Sequence, residues 1–444
     1  MKPAALPDGE VLIVGGGWAG LSAAVLLSQR GRRVTLLEAG RQLGGRARCV
    51  PFGELRVDNG QHLLLGACRH LLALLAILGI DPDQVLDRQP LQLRLRSLNG
   101  GSLRLQASRL PAPLHLLTGI LGAGGLSPLE RLHLLRFASR LRRGHIRQRR
   151  DISAQALLLS ERQTGRLLRR LWEPLCLAAL NTPLDQASAH LFLRVLRDSL
   201  GGQRDASDLL IPKTDLGTLL PTPALEYIER QGGRVLLGHR VQAIEPGSDG
   251  HRVLWPGGSL TARQLILAVN PTLCRRLLSP HAAFRSISEQ LARLPQAPIS
   301  TLYLRYPPDT RLNLPMLGIL DGLGQWVFDR RVCGQPGLMA VVISGAGRHM
   351  EMQGEALAQT VIDELARLFP HWPAPGERLL IREKRATFLS QVDVERLRPR
   401  AETGVPGLWL AGDFTATGLP ATLEGAVASG FHCANRIAPL VPET

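Results

Sequence analysis

The chain has 444 residues, of which 45% are hydrophobic, 20% charged and 4% aromatic. That balance supports a buried core spread over two or three units and excludes a disordered chain. Lysine and arginine (53) outnumber the acids (37) for a net charge of +16. The excess points to an anionic membrane surface, an acidic partner or plain arginine bias, while the scarcity of aromatics and the lack of any recognition motif argue against nucleic acid.

In chain order, Val11, Leu12, Ile13 and Val14 form a short buried strand, and Gly15, Gly17 and Gly20 follow it as GxGxxG. Leu21 to Gln29 reads as a helix closed by Gly31. A second strand, Val34 to Leu37, ends at Glu38, which lies 18 residues past the last of these glycines. A glycine turn between strand and helix, with an acid at that distance, is a dinucleotide-binding fingerprint. Gly15 permits the tight turn, Gly17 lets the backbone approach a pyrophosphate, and Gly20 lets the helix pack against the sheet. The helix N-terminus offers free N–H groups to the phosphates, and Glu38 is placed to accept hydrogen bonds from an adenosine ribose. The same glycines argue against reading Val11 to Leu27 as a signal-peptide core.

Next comes a leucine-rich stretch of helical period. Within it, Leu114 to Leu126 is too short for a bilayer, which needs about 20 residues. Arg131 to Arg150 holds eight arginines and no acid, with Arg136, Arg140, Arg143 and Arg147 on one predicted helix face. That face is either solvated or attracted to anionic lipid. Pro223 to Arg230 reads as a helix, and RVLLGHRVQAIE, HRVLWPGG and QLILAVNP as a strand followed by a three-stranded excursion. ISTLYLRYP, QWVFDRR, LMAVVIS and RLLIREK alternate like strands. Near the C-terminus, Leu408 to Ala411 forms another buried strand, Asp413 stands at its end, and a helix begins at Leu423. Cys49, Cys68, Cys176, Cys274, Cys333 and Cys433 are scattered without a CxxC pair, which argues against a disulfide framework or a metal site and for a reducing cytoplasm.

The glycine fingerprint, the following AGRQLGGRAR and the C-terminal GDFTATGLPATLEGAVASG together resemble the FAD-binding signatures of the flavin amine oxidase and phytoene desaturase superfamily. The resemblance implies an α/β fold: a discontinuous Rossmann-like FAD domain of the glutathione-reductase type (8–78, 220–293 and 395–444) with an inserted α+β substrate domain (79–219, carrying a basic membrane-facing segment at 111–150, and 294–394). It implies that Asp413 holds the ribityl chain, that the Leu423 amide faces the pyrimidine edge, that Arg46 lies near flavin and diphosphate, and that the Val241 backbone meets the adenine. Trp18, Ala19, Ala39, Gly45, Gly60, Gln61, His62, Gly412 and Thr422 complete the implied cofactor set. DNGQHLLLGA, LWEPLCLAALNTP, LRVLRDSLGG and SDLLIPKTDL narrow the resemblance, from end to end, to the squalene-associated FAD-dependent desaturases, also called hydroxysqualene dehydroxylases.

That family implies reduction of hydroxysqualene to squalene by reduced FAD in hopanoid synthesis, a C30 isoprenoid substrate, a site on the cytoplasmic face of the inner membrane and room for association with other squalene-synthesis enzymes, and it leaves the electron donor open. Two alternatives stand beside it: an oxidative desaturase of a polyisoprenoid, and a prenyl-chain escort without turnover. An amine oxidase fits poorly, since ISTLYLRY carries Thr301 and no lysine. Loss of an allylic hydroxyl calls for one general acid in an apolar tunnel. His62, Glu173 and Asp58 are the candidates in that order. Asp198 is better explained as an ion pair with Arg194. His62 could equally be bonded to backbone, Glu173 could be an exposed helix acid, and Asn181 either orients the hydroxyl or caps a helix.

Overall fold

Val11–Val14 and Val34–Leu37 are buried along their whole lengths, the pattern of strands covered on both faces. In the computed structural model they are neighbours in a parallel five-stranded sheet, ordered Arg234–Leu236, Val34–Leu37, Val11–Val14, Gln264–Leu267, Leu408–Leu410. Strands from the beginning, middle and end of the chain thus build one sheet. The structure describes residues 4–7 and 9–439. Residue 8 and residues 440–444, at the edges of the expected 8–78 and 395–444 segments, lie outside the described residues.

The fingerprint helix runs Trp18–Gln29, three residues earlier than the sequence suggests, because Gly17 in extended conformation caps it directly. Helix Leu423–Ile437 crosses it closely: Ser22 Oγ donates to Val427 O at 3.1 Å, and a Cβ at Gly430 would stand 2.6 Å from Ala19 O. The expected excursion is an antiparallel meander, Ala243–Gly247, Gly250–Trp255 and Gly258–Ala262, with Ala4–Ala5 added in parallel at its edge.

The second layer is a seven-stranded mixed sheet: Arg378–Phe388, Gln296–Arg305, Leu338–Ser344, Trp326–Asp329, Met316–Leu320, Gln92–Ser97 and Ser102–Gln106. The last two come from the stretch expected to be helical. They alternate buried and open positions (Leu93 and Leu95, Leu103 and Leu105 inward), a period-2 signal hidden by the leucine content around it. Side chains alternate across the sheet. Leu302, Leu304, Val341 and Ile343 pack on helix Gly354–Leu368, whereas Ile299, Thr301 and Val342 face a large interior cavity. Helices Leu114–Leu121, Pro128–Arg142 and Ala189–Leu200 contribute to the far wall.

The basic stretch differs from its expected form. A capping box of Ser127 and Glu130 starts its helix, but the helix stops at Arg142. Gly144 follows in the left-handed region at φ +68°, a usual way to end a helix. Arg147 therefore leaves the proposed arginine face, and Arg140 is committed to a bidentate pair with Glu161 at 2.7 and 3.1 Å.

The crossing of Trp18–Gln29 with Leu423–Ile437 has no room for a methyl group. Gly430→Ala is expected to lower unfolding free energy by about 1–3 kcal/mol, measured as a lower denaturant midpoint with unchanged slope.

Candidate active site

One cavity of about 1730 Å³ runs from the glycine fingerprint to the seven-stranded sheet. At its nucleotide end, Gly15 takes φ +112°, and a Cβ on Gly20 would lie 2.0 Å from Gly15 O, so helix and strand meet backbone to backbone. At Gly17 a Cβ would meet nothing nearer than Gly45 Cα at 3.9 Å. Open space therefore faces the amides of the first helical turn, as a diphosphate requires. Glu38 holds its carboxylate in place by accepting from Gly16 N and Gly40 N, both at 2.7 Å. Trp18, Ala19, Ala39, Gly45 and Val241 line the same end.

In the middle of the cavity, Arg46 Nη2 donates to Asp413 Oδ1 at 2.6 Å, and the other guanidinium nitrogen reaches Ala386 O. Gly412, Thr422 and Leu423 lie beside them. Thr422 caps helix Leu423–Ile437 by accepting from Gly425 N at 3.1 Å, which leaves the Leu423 end of that helix toward the cavity. Glu424 turns to the neighbouring helix Arg69–Ile77, accepting from His70 N and Leu71 N at 2.9 and 3.0 Å.

The far arm is walled mainly by apolar side chains, including Leu93, Leu116, Leu134, Trp172, Phe192 and Phe328. Where the two halves meet, Gly60, Gln61 and His62 enter it beside Thr301. A Cβ at Gly60 would lie 3.7 Å from Thr301 Oγ1 and 3.9 Å from His62 Nε2, so both polar groups converge on one small space. Among the described residues neither the His62 ring nor the Thr301 hydroxyl has a hydrogen-bond partner. Burial, opposed by Asp58 and reinforced by Arg330 and Arg46, lowers the His62 pKa below that of an ordinary histidine.

The sequence profile described as flavin containing amine oxidoreductase matches residues 18–438. The chain belongs to that family. It is 30% identical to a hydroxysqualene dehydroxylase of Sinorhizobium fredii, covering 96% of this chain and 97% of the relative, and 31% identical to one of Rhodopseudomonas palustris, covering 97% and 98%. The solved structure of cyclohexylamine oxidase from Brevibacterium oxydans superposes with a TM-score of 0.69 at 19% identity, over 97% of this chain and 99% of that one, which extends the likeness of fold to the whole chain.

A flavin in a dinucleotide-binding cleft means FAD, and the cleft fits it: an open glycine cradle, a positioned acid at its adenosine end and the Arg46–Asp413 pair midway. Arg398, which the sequence did not single out, shapes this flavoenzyme's C-terminal loop from beneath. It is fully buried and donates to Asp413 O at 2.9 Å and Leu419 O at 2.7 Å, with the Thr415 carbonyl and the Glu395 carboxylate also in its reach. No local motif announces it, because apart from Glu395 it is held mainly by backbone carbonyls 15–21 residues away.

The acid candidates separate. Asp58 does not line the cavity. It is 2% exposed, its Oδ1 accepts from Leu216 N at 2.8 Å, and its Oδ2 accepts from the equally buried Arg330 at 3.0 Å. Its role is to anchor the loop: Tyr303 Oη donates to Asp58 O at 2.9 Å and Arg330 also donates to Gln61 Oε1 at 2.9 Å. Glu173 is likewise absent from the lining. Burial raises its pKa, yet it turns aside to accept from Leu184 N at 3.2 Å. Asp198 borders the cavity and pairs with Arg194 at 2.6 Å. Asn181 ends helix Glu173–Leu180 at φ +51°, and its amide is consumed by Pro298 O, Thr387 Oγ1 and Gly345 N. His62 alone of the three named candidates reaches the arm.

Two outcomes follow from these contacts. Arg330→Met leaves Asp58 buried without its partner and is expected to cost about 3–5 kcal/mol of stability by denaturant titration, with part of that recovered in Asp58→Asn/Arg330→Met. Asp413→Ala is expected to weaken FAD binding about 10–100-fold, the loss of one charge-assisted hydrogen bond, read from the flavin retained after dialysis of protein that keeps its native circular dichroism.

Proposed function

We propose that this flavoenzyme removes the allylic hydroxyl of hydroxysqualene to give squalene and water. The observation that carries the reading is the single cavity joining an FAD cradle to an apolar arm with one free imidazole and one free hydroxyl at the junction. The near-full-length similarity to two hydroxysqualene dehydroxylases supports the choice of substrate. Reduced FAD, when bound, supplies the hydride equivalent.

This chain's residues do the rest. The leucine walls exclude water and take up the C30 hydrocarbon, whose burial supplies binding free energy at about 25 cal/mol per Å². The substrate hydroxyl fits the space beside Gly60, where Thr301 Oγ1 holds it and His62 donates a proton to the oxygen as the C–O bond breaks. The oxygen leaves as water and the allylic carbon bears the positive charge. The wall of the same cavity carries Trp172, Phe137 and Phe192, the side-chain type that stabilises such a charge.

Substrate of this kind resides in membrane, and we place the protein at a membrane surface on the cytoplasmic side, in line with its six free cysteines. Among the described residues no helix is long and apolar enough to cross a bilayer. However, Leu110, Leu114, Leu117, Leu121, Leu129 and Leu132 are 38–59% exposed on the two helices, and the turn before them, whose other faces line the arm. Leucines left in water at the rim of an apolar tunnel suit insertion into lipid.

The direction of reaction is tested anaerobically. Dithionite-reduced protein mixed with hydroxysqualene is expected to reoxidise and release squalene; bleaching of the oxidised protein by squalene, with a more unsaturated product, overturns the reading in favour of a desaturase. With His62 as acid and its pKa lowered, the protonated form grows as pH falls. Single-turnover rates should therefore rise up to about tenfold per pH unit toward a pKa below 6.5 and then level. In His62→Gln that dependence should vanish while FAD stays bound. Leu114→Ser/Leu121→Ser is expected to lower turnover of vesicle-borne substrate while leaving turnover of detergent-dispersed substrate unchanged.

A further inference from the structure

Beside the tunnel rim lies a second, shallower recess of about 790 Å³, whose lining includes Arg69, Arg109, Arg142 and Arg204 and a single acid, Asp205. The recess adjoins the tunnel, because Arg142 lines both cavities, and Pro111 and Ala112 in its wall lead directly into helix Leu114–Leu121. Its glycine lining is Gly201–Gly202: Arg142 Nη1 donates to Gly202 O at 3.4 Å, and a Cβ on Gly202 would lie 4.0 Å from Arg69 Nη2. Burial first, then Arg204 and Arg142 against the opposing Asp208, lowers the pKa of His115 in that helix.

Most of this charge is unpaired. Among the described residues Arg69, Arg109 and Arg142 have no ion pair, and Arg204 only approaches Asp208 at 3.8 Å, a carboxylate already shared with Arg88 at 3.4 Å. On the helix that carries Arg142, Arg140 by contrast is neutralised by Glu161. Guanidinium groups gathered around glycine backbone, without carboxylates to match, form the arrangement that takes a phosphate oxygen by charge-assisted, forked hydrogen bonds. The exposed leucines fix where that phosphate comes from. With Leu114 and Leu121 in the acyl region, a recess one turn of chain away lies at headgroup depth.

We propose that Arg69, Arg109, Arg142 and Arg204 form a headgroup site for the phosphate of an anionic phospholipid, which docks the tunnel rim on the bilayer. The proposal rests on the membrane reading above and adds to it a defined site.

The test is flotation of the FAD-loaded full chain with vesicles of phosphatidylcholine alone or mixed with phosphatidylglycerol. Wild-type protein is expected to partition at least about tenfold more strongly onto the phosphatidylglycerol vesicles. Arg69→Gln/Arg109→Gln should lose most of that preference, whereas Arg149→Gln/Arg150→Gln, which removes equal charge from the basic stretch outside the recess, should keep it. Equal weakening of the two double variants overturns the site and leaves diffuse membrane attraction standing. Failure of the wild type to float with either vesicle overturns the membrane reading and the site with it. Thermal stabilisation of the wild type by millimolar inorganic phosphate, lost in Arg69→Gln/Arg109→Gln, together with no preference for phosphatidylglycerol vesicles, overturns the lipid assignment and identifies a free anion as the occupant.

Discussion

The buried pair of Asp58 and Arg330 is the contact on which the rest of the site depends. Its members are 272 residues apart: one ends a hairpin that follows the fingerprint sheet, the other follows a strand of the seven-stranded sheet. Removing two charges from water costs several kcal/mol each, and their attraction offsets this only when the remaining hydrogen-bonding groups are also satisfied. Here Leu216 N serves the carboxylate and Gln335 Oε1 and Gln61 Oε1 serve Nε and Nη1 of the guanidinium, while its buried Nη2 has no partner among the described residues. Their energetic value is one of position. The pair fixes the Asn59–His62 loop at the seam between the halves, so the imidazole stands where the nucleotide end of the cavity gives way to the apolar arm.

A cavity with two solvents in one space follows from that seam. Peptide amides, glycines and one Arg–Asp pair form the end suited to a dinucleotide; leucine, phenylalanine and tryptophan form the end suited to hydrocarbon. The polar groups left unsatisfied at the boundary are few, which is what a selective reaction at one carbon of a long uniform chain demands. Specificity for a hydroxyl comes cheaply in such a place, because a hydrocarbon lacking it leaves buried donors and acceptors unpaired.

How much of this was legible in the sequence depended on range. Gly15, Gly17, Gly20 and Glu38 are local grammar, and so are the strands that alternate and the cap at Thr422. DNGQH was legible as a segment near the flavin through resemblance, but the division of labour inside it was not. Asp58 and His62 both stand as acid candidates in the sequence, His62 ahead, and only Leu216 and Arg330, both distant in sequence, show that Asp58 is tied down. Glu173 stands apart from the cavity lining for a related reason: an acid in an apolar run reads as buried, yet burial says nothing about which side of a helix faces the cavity. The strands Gln92–Ser97 and Ser102–Gln106 were masked by leucines that suit either period. The arginine face was drawn across Gly144, whose left-handed turn breaks the helix that would have carried it.

The way the seven-stranded sheet is assembled has a consequence for biosynthesis. Gln92–Ser97 pairs in parallel with Met316–Leu320, so the first insert's hairpin waits more than two hundred residues for its neighbour. Leu408–Leu410 must likewise travel to an edge begun by Val11–Val14 and Gln264–Leu267. Neither sheet can close until nearly all of the chain has left the ribosome. Pairings of such long range are slow to form and leave apolar edges open meanwhile. A leucine-rich nascent chain in that condition needs a chaperone or a ligand, and a flavin gathering both ends of the sequence into one cleft would act as the last element of the fold.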